Sequence, residues 1–135
     1  MLAAIAASAP RAVAKAWALP EARMVSAPSA ARQGLDLKRV YEVITSSAGN
    51  SWCFENRMQH VLENDYAPRS AIEIFVKDLG IVEDMARAAR FPVPMASAAL
   101  QLYLMTAAAG MGRDDDSSVA RLYAQIAGID LTQSV

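Results

Sequence analysis

The chain has 135 residues, enough for one ordinary domain with a single core and too few for two. Hydrophobic residues make up 54% and the formal net charge is −1, which argues against a disordered chain, a basic nucleic-acid-binding surface and an acidic tail. A single cysteine, Cys53, and a single histidine, His60, exclude an internal disulfide and leave zinc without its usual ligands, so a reducing, cytoplasmic setting is expected.

Residues 1–30 differ in texture from the rest. They are rich in alanine, contain Pro10, Pro20 and Pro28, and suggest one helix, from Arg11 to Leu19. Arg11, Lys15 and Arg23 against the lone acid Glu21 mimic a transit peptide, but Pro10 interrupts the stretch and no long apolar run follows. No run of about 18 apolar residues occurs anywhere, so a membrane-spanning helix is not expected. The domain boundary falls near Pro28–Ala31, which divides the chain into an atypical Ala/Pro-rich segment, 1–30, and a well-punctuated remainder, 31–135.

The first clear helix begins after Gly34, with Asp36 as N-cap and Leu37, Val40, Tyr41 and Ile44 at helical spacing. SSAGNS, Ser46–Ser51, breaks it. A second helix from Trp52 to Leu62 turns Phe54, Met58, Val61 and Leu62 inward, and NDYAPR is a loop. Ser70 and Glu73 form an S-x-x-E capping box that opens a long helix, ended near Arg90 by FPVP. Another helix runs from Met95 to Ala109 and stops at Gly110. The last, Ser117 to Ala127, takes Asp116 or Ser117 as N-cap and turns Val119, Leu122, Tyr123 and Ile126 inward. No segment alternates with period two, so the fold class is all-α, a multi-helix bundle.

Within the long helix, Ile72, Phe75, Val76, Leu79 and Val82 share one face, and Ile74, Ile81 and Met85 cover much of the remainder. A helix apolar nearly all round belongs in the centre of a bundle. Lys77 falls on the narrow polar stripe that remains, beside Glu73 and Asp84. From spacing, Lys77 is either the partner of Glu73 in an i, i+4 pair of about 0.2–0.5 kcal/mol, or a cation presented at a cleft with Asp78 beside it. Spacing alone decides nothing between these.

An ordered series of motifs carries more information. GLD at Gly34–Asp36, AGNSW at Ala48–Trp52, DYAP at Asp65–Pro68, FVKDLG at Phe75–Gly80, FPVP, Tyr103 and GMGRDDDSSV at Gly110–Val119 follow in turn. The stretch from Ala31 to Leu131 resembles the C-terminal helical domain of the β-hydroxyacid dehydrogenases, with wording closest to the threonate branch. The resemblance implies a bundle like the 6-phosphogluconate dehydrogenase C-terminal domain, which builds one wall of an NAD cleft. It implies that Lys77 reaches the cofactor with Asp78 helping to build the cleft, and that Asn50, Ser51 and Trp52 lie near the pocket of a small hydroxyacid such as L-threonate or 3-hydroxyisobutyrate. A plain helix–helix connector is the competing reading of that loop. GRDDDS reads as loop and helix cap.

The G-x-G-x-x-G turn of the family's Rossmann domain and its catalytic-lysine motif, G-x-G-x-x-x-K-x-x-N-N, do not occur in these residues. Lys15 lacks the flanking residues, so no catalytic residue is assigned. The expectation is a truncated or frame-shifted form, inactive alone, whose first 30 residues come from another frame; translating the upstream DNA in three frames tests it. The alternative is a helical interaction module that pairs with itself or a full-length relative, since the family's domain supplies much of the dimer contact. A third reading, Cys53 and His60 as nucleophile and base, competes with a core cysteine and a surface histidine.

Overall fold

The computed structural model describes residues 25–134, so the helix expected over Arg11–Leu19 lies outside the described residues. Within them the architecture is all-α: six α-helices and three short turns of other helical type, with one isolated bridge, Ala71 to Asp115, as the only extended pairing. No helix among the described residues is long and apolar enough to cross a membrane.

The first helix, α1 (Ser26–Arg32), is one that hydrophobic periodicity does not announce. Pro28 is tolerated because it sits in the first turn, where its missing N–H has no intrahelical carbonyl to lose. Ala27, Pro28 and Ala30 are buried, so the change of texture at Pro28–Ala31 falls inside a core helix. Gly34, at φ +73°, turns the chain into α2 (Leu37–Thr45). Asp36 caps α2 as its sequence suggests, with Oδ1 accepting from Arg39 N at 2.8 Å. Leu37 is buried, while Val40, Tyr41 and Ile44 are half-buried against the core.

Ser51 caps α3 (Trp52–Glu63), its Oγ accepting from Phe54 N at 3.1 Å. Phe54, Met58 and Val61 enter the core, and Asn64, left-handed at φ +52°, ends the helix. The long helix α4 (Ile72–Ala89) packs along α5 (Pro94–Thr106), with the rings of Phe75 and Tyr103 stacked at 4.6 Å between centroids. A π-type turn, Ala107–Met111, broken at Gly110 (φ +89°), leads to a 3₁₀ turn, Asp116–Ser118, and then to α6 (Val119–Ala127). Gly128, at φ +64°, closes α6. The sheetless core is assembled by α1 packing on α2 and α6, α2 on α3, α5 on α6, and the 116–118 turn on α3, α4 and α6.

Five expectations are corrected. The S-x-x-E box does not form: Ala71 is the N-cap residue of α4, and the first amides, Ile72 N and Glu73 N, donate to the carbonyls of Asp114 and Gly112 instead, each at 3.0 Å. A backbone acceptor held rigidly by a distant loop has displaced a flexible side chain. The side-chain cap is Asp115, not Asp116 or Ser117, and it caps the 116–118 turn that leads into α6, its carboxylate accepting from Ser117 N at 3.1 Å, while Ser118 precedes α6 with no side-chain cap. α4 is not surrounded, since Ile74 and Met85 stand exposed, and in α6 Ile126 points to solvent rather than inward. His60 is buried and Cys53 only half-buried, the reverse of the core-cysteine, surface-histidine expectation, because His60 lies on the Phe54–Val61 side of α3.

Candidate functional site

Two charged centres and one loop hold the chemistry-bearing residues. The first centre is on α4. Asp78 lies on the inner side of the helix, its side chain 10% exposed, while Lys77 projects outward at 66%. Their Nζ and Oδ1 atoms are 3.2 Å apart. The expected pair between Glu73 and Lys77 is not the one that forms; Glu73 turns back against Gly112, and Asp84 pairs with Arg87 at 3.6 Å. The result is an ammonium that solvent reaches from one side and a buried carboxylate steadies from the other. Such a group can meet an anionic or hydroxylated ligand at little desolvation cost.

The loop before α3 is the second element. Asn50 Nδ2 donates to Glu55 Oε2 at 3.2 Å, while the buried Oδ1 finds no hydrogen-bond partner among the described residues. An amide carbonyl left in that state can accept from a hydroxyl. Ser51 uses one lone pair of its Oγ on the helix cap, which leaves the O–H as a donor. Trp52, the first residue of α3, is 69% exposed. Lys77 and the Asn50–Trp52 loop sit on different helices, and the 116–118 turn packs against both of those helices.

That turn is the centre that sequence reasoning treated as a plain cap. Asp115 is fully buried and accepts from Arg69 N (2.9 Å), Ser70 N (3.4 Å), Ser117 N (3.1 Å) and Ser117 Oγ (2.6 Å). Asp116, almost as buried, receives Arg57 Nε at 2.6 Å, and the same Nε lies 4.0 Å from Asp115 Oδ2. Burial pushes the Asp115 carboxyl up, but the hydrogen bonds from Ser117 and Arg69 and the Arg57 charge outweigh it and hold the group below its ordinary value. Asp116 has fewer donors, and burial pushes it up to about 7, with Arg57 opposing and the neighbouring Asp115 reinforcing. Arg57 also lies over the Trp52 ring, 5.9 Å from guanidinium carbon to centroid. The DDD run was the signal; the arginine 59 residues away carried none.

No group of three or more His, Cys, Asp or Glu side chains that could hold a metal ion occurs among the described residues. His60 Nδ1 faces Asp65 at 3.9 Å and has no hydrogen-bond partner among the described residues. The N-terminus of α4 is also closed to a phosphate, since the loop carbonyls occupy its first amides.

Comparison with known proteins bears on the family of the chain. Residues 11–123 match the family described as the NAD-binding domain of NADP-dependent 3-hydroxyisobutyrate dehydrogenase, a match that begins upstream of the motifs at Ala31. L-threonate dehydrogenase of Escherichia coli K12 is 53% identical over 97 residues, covering 72% of this chain and 32% of that protein. 2-(Hydroxymethyl)glutarate dehydrogenase of Eubacterium barkeri is 30% identical over 100 residues, covering 73% and 33%. The crystal structure of 3-hydroxyisobutyrate dehydrogenase from Salmonella typhimurium superposes with a TM-score of 0.76 at 47% identity, covering 85% of this chain and 41% of that one. The chain spans about a third of the length of the curated relatives it matches.

Proposed function

Because this chain belongs to the family of NAD-binding domains of 3-hydroxyisobutyrate dehydrogenase, we propose that it forms the helical wall of an NAD cleft in an enzyme that oxidises a small hydroxyacid such as L-threonate. The observation that carries the proposal is the exposed Lys77 ammonium, anchored 3.2 Å from the buried Asp78 carboxylate. Lys77 meets the polar ribose and nicotinamide end of the cofactor, and Asp78 fixes the lysine's base on α4. Asn50, Ser51 and Trp52 face the substrate, with the unpaired Asn50 carbonyl oxygen accepting from a hydroxyl and the indole supplying an apolar wall. When bound, NAD supplies the hydride acceptor; the residues here bind and orient.

In this reading the helical domain takes in α1, whose Ala27 and Ala30 lie in the core, rather than beginning at Ala31, and the setting is cytoplasmic. The 135 residues by themselves do not transfer hydride, since neither G-x-G-x-x-G nor the catalytic-lysine motif occurs in them. NADH fluorescence measured on adding the purified chain tests the cofactor wall. Enhancement that falls about tenfold in Lys77→Ala supports it; equal enhancement in both proteins removes Lys77 from the site.

A second reading, a helical module that associates with itself or with a longer relative, is favoured by Phe91, Met95, Met105 and Ile126, large apolar side chains that stand exposed. Sedimentation at a mass near that of one chain, 14.5 kDa, would rule out self-association.

A further inference from the structure

We propose that Arg57 is a positioning residue: held by the buried Asp115–Asp116 turn, it sets the orientation of the Trp52 indole at the mouth of the Asn50–Trp52 loop. The inference rests on the reading of that loop as substrate-facing, and adds to it a residue that touches no substrate itself.

The geometry carries it. Trp52 opens α3 and is exposed, so little of the protein surrounds its ring. Arg57, five positions on, has a side chain only 15% exposed, which places it between the indole and the two carboxylates rather than in solvent. A guanidinium is a rigid fork that stacks on an aromatic face while its edge bonds a carboxylate, and Arg57 does both at 5.9 and 2.6 Å. The carboxylate end cannot drift, because Asp115 takes the amides of Arg69, Ser70 and Ser117, and Asp116 N donates to Ser70 O at 2.8 Å. The indole is therefore tied, through one side chain, to a turn built from the far end of the sequence.

Two carboxylates share one guanidinium, so the hold on Arg57 depends on whether Asp116 is ionised. Burial pushes Asp116 up to about 7, with Arg57 opposing and Asp115 reinforcing. From α6, Arg121 is paired with Asp114 at 2.8 Å; from α4, the neighbouring acid Glu73 lies against Gly112. Ionisation of Asp116 draws the guanidinium to the turn, and protonation loosens it. A substrate with hydroxyl groups and a carboxylate would meet a differently angled indole wall in the two states.

Trp52 emission in the full chain, made in a Trp17→Phe background so that one indole reports, tests this. In Arg57→Gln the acrylamide quenching constant of Trp52 should rise about twofold as the ring loses its partner, and Arg57→Lys should recover part of the loss. Unchanged quenching in a helical Arg57→Gln protein overturns the proposal. Should Arg57→Gln fail to fold, Asp116→Asn serves, since the amide still accepts from Arg57 Nε. Wild-type emission should titrate between about pH 5 and 9 and that of Asp116→Asn should not; a flat wild-type profile overturns the proposal. L-threonate added to the same proteins separates the two readings. Emission that answers to Arg57 and not to threonate keeps the positioning role and removes the substrate-facing loop.

Discussion

Two aspartate centres, each beside a basic side chain, have opposite surroundings. Asp78 on α4 has Lys77 at 3.2 Å, and that lysine's outer side is open to water. Asp115 and Asp116 share Arg57, and backbone amides, a hydroxyl and the helix cap take up their oxygens. The difference lies in where hydrogen-bonding capacity remains. Around Asp115 it is spent on the protein, so the charges fix architecture. At Lys77 part of the ammonium's capacity is left over, and a group with donors left over can bind a ligand. An arginine makes the closed site and a lysine the open one, in keeping with a planar fork against a mobile point charge.

Breaking the closed centre should have the largest effect. Asp115→Ala leaves the amides of Arg69, Ser70 and Ser117 without their acceptor and should destabilise the chain by about 3–5 kcal/mol in urea unfolding. A loss under about 1 kcal/mol would mean the turn is not a clamp.

The pH dependence sharpens the contrast within the pair. Folded Asp116 keeps its proton up to about pH 7, whereas in the unfolded chain it gives it up near 3.8, the ordinary value for an aspartate. The folded state thus binds more protons across that window, and stability falls as pH rises through it, by on the order of 2–4 kcal/mol. Asp115 acts the other way, its lowered carboxyl supplying stability above the ordinary carboxylate range that is lost as pH drops below it. Asp116→Asn should flatten the decline between about pH 4 and 7 while leaving the acid limb. An unchanged slope would assign the decline to another group.

Gly112→Ala probes the same loop more gently. An added Cβ would lie 2.8 Å from Glu73 Oε1, the free end of an exposed side chain that can swing aside. The cost should stay within about 1 kcal/mol by thermal melting, because the cap on α4 is made by backbone carbonyls. At the open centre, Lys77→Ala should change stability by no more than about 0.5 kcal/mol, the smallest effect of all.

Much of the bundle was legible because its signals are local. Asp36 and Ser51 sit one step before their apolar stripes, the FPVP run stops α4, and Gly128 stops α6, all within a turn of the helix concerned. α1 gave no stripe to read, since its buried face is built from Ala27, Pro28 and Ala30. The capping box at Ser70–Glu73 misled because the acceptors that replaced it, Gly112 and Asp114, lie far along the chain. Lys77 and Asn50–Trp52 came from ordered motifs rather than spacing. Arg57 could not be found that way, since its partner Asp116 is 59 residues off and no periodicity links them.

The stretch from Gly112 to Ser118 closes the start of α4 with its carbonyls, leads into α6 through the turn that Asp115 caps, and grips α3 through Arg57. Three helices are therefore latched by one short segment, and the latch has no partial setting. In deuterium exchange the amides of Ile72, Glu73, Asp115 and Asp116 should be released together, in one cooperative opening, while the ends of α2 fray on their own far faster clock.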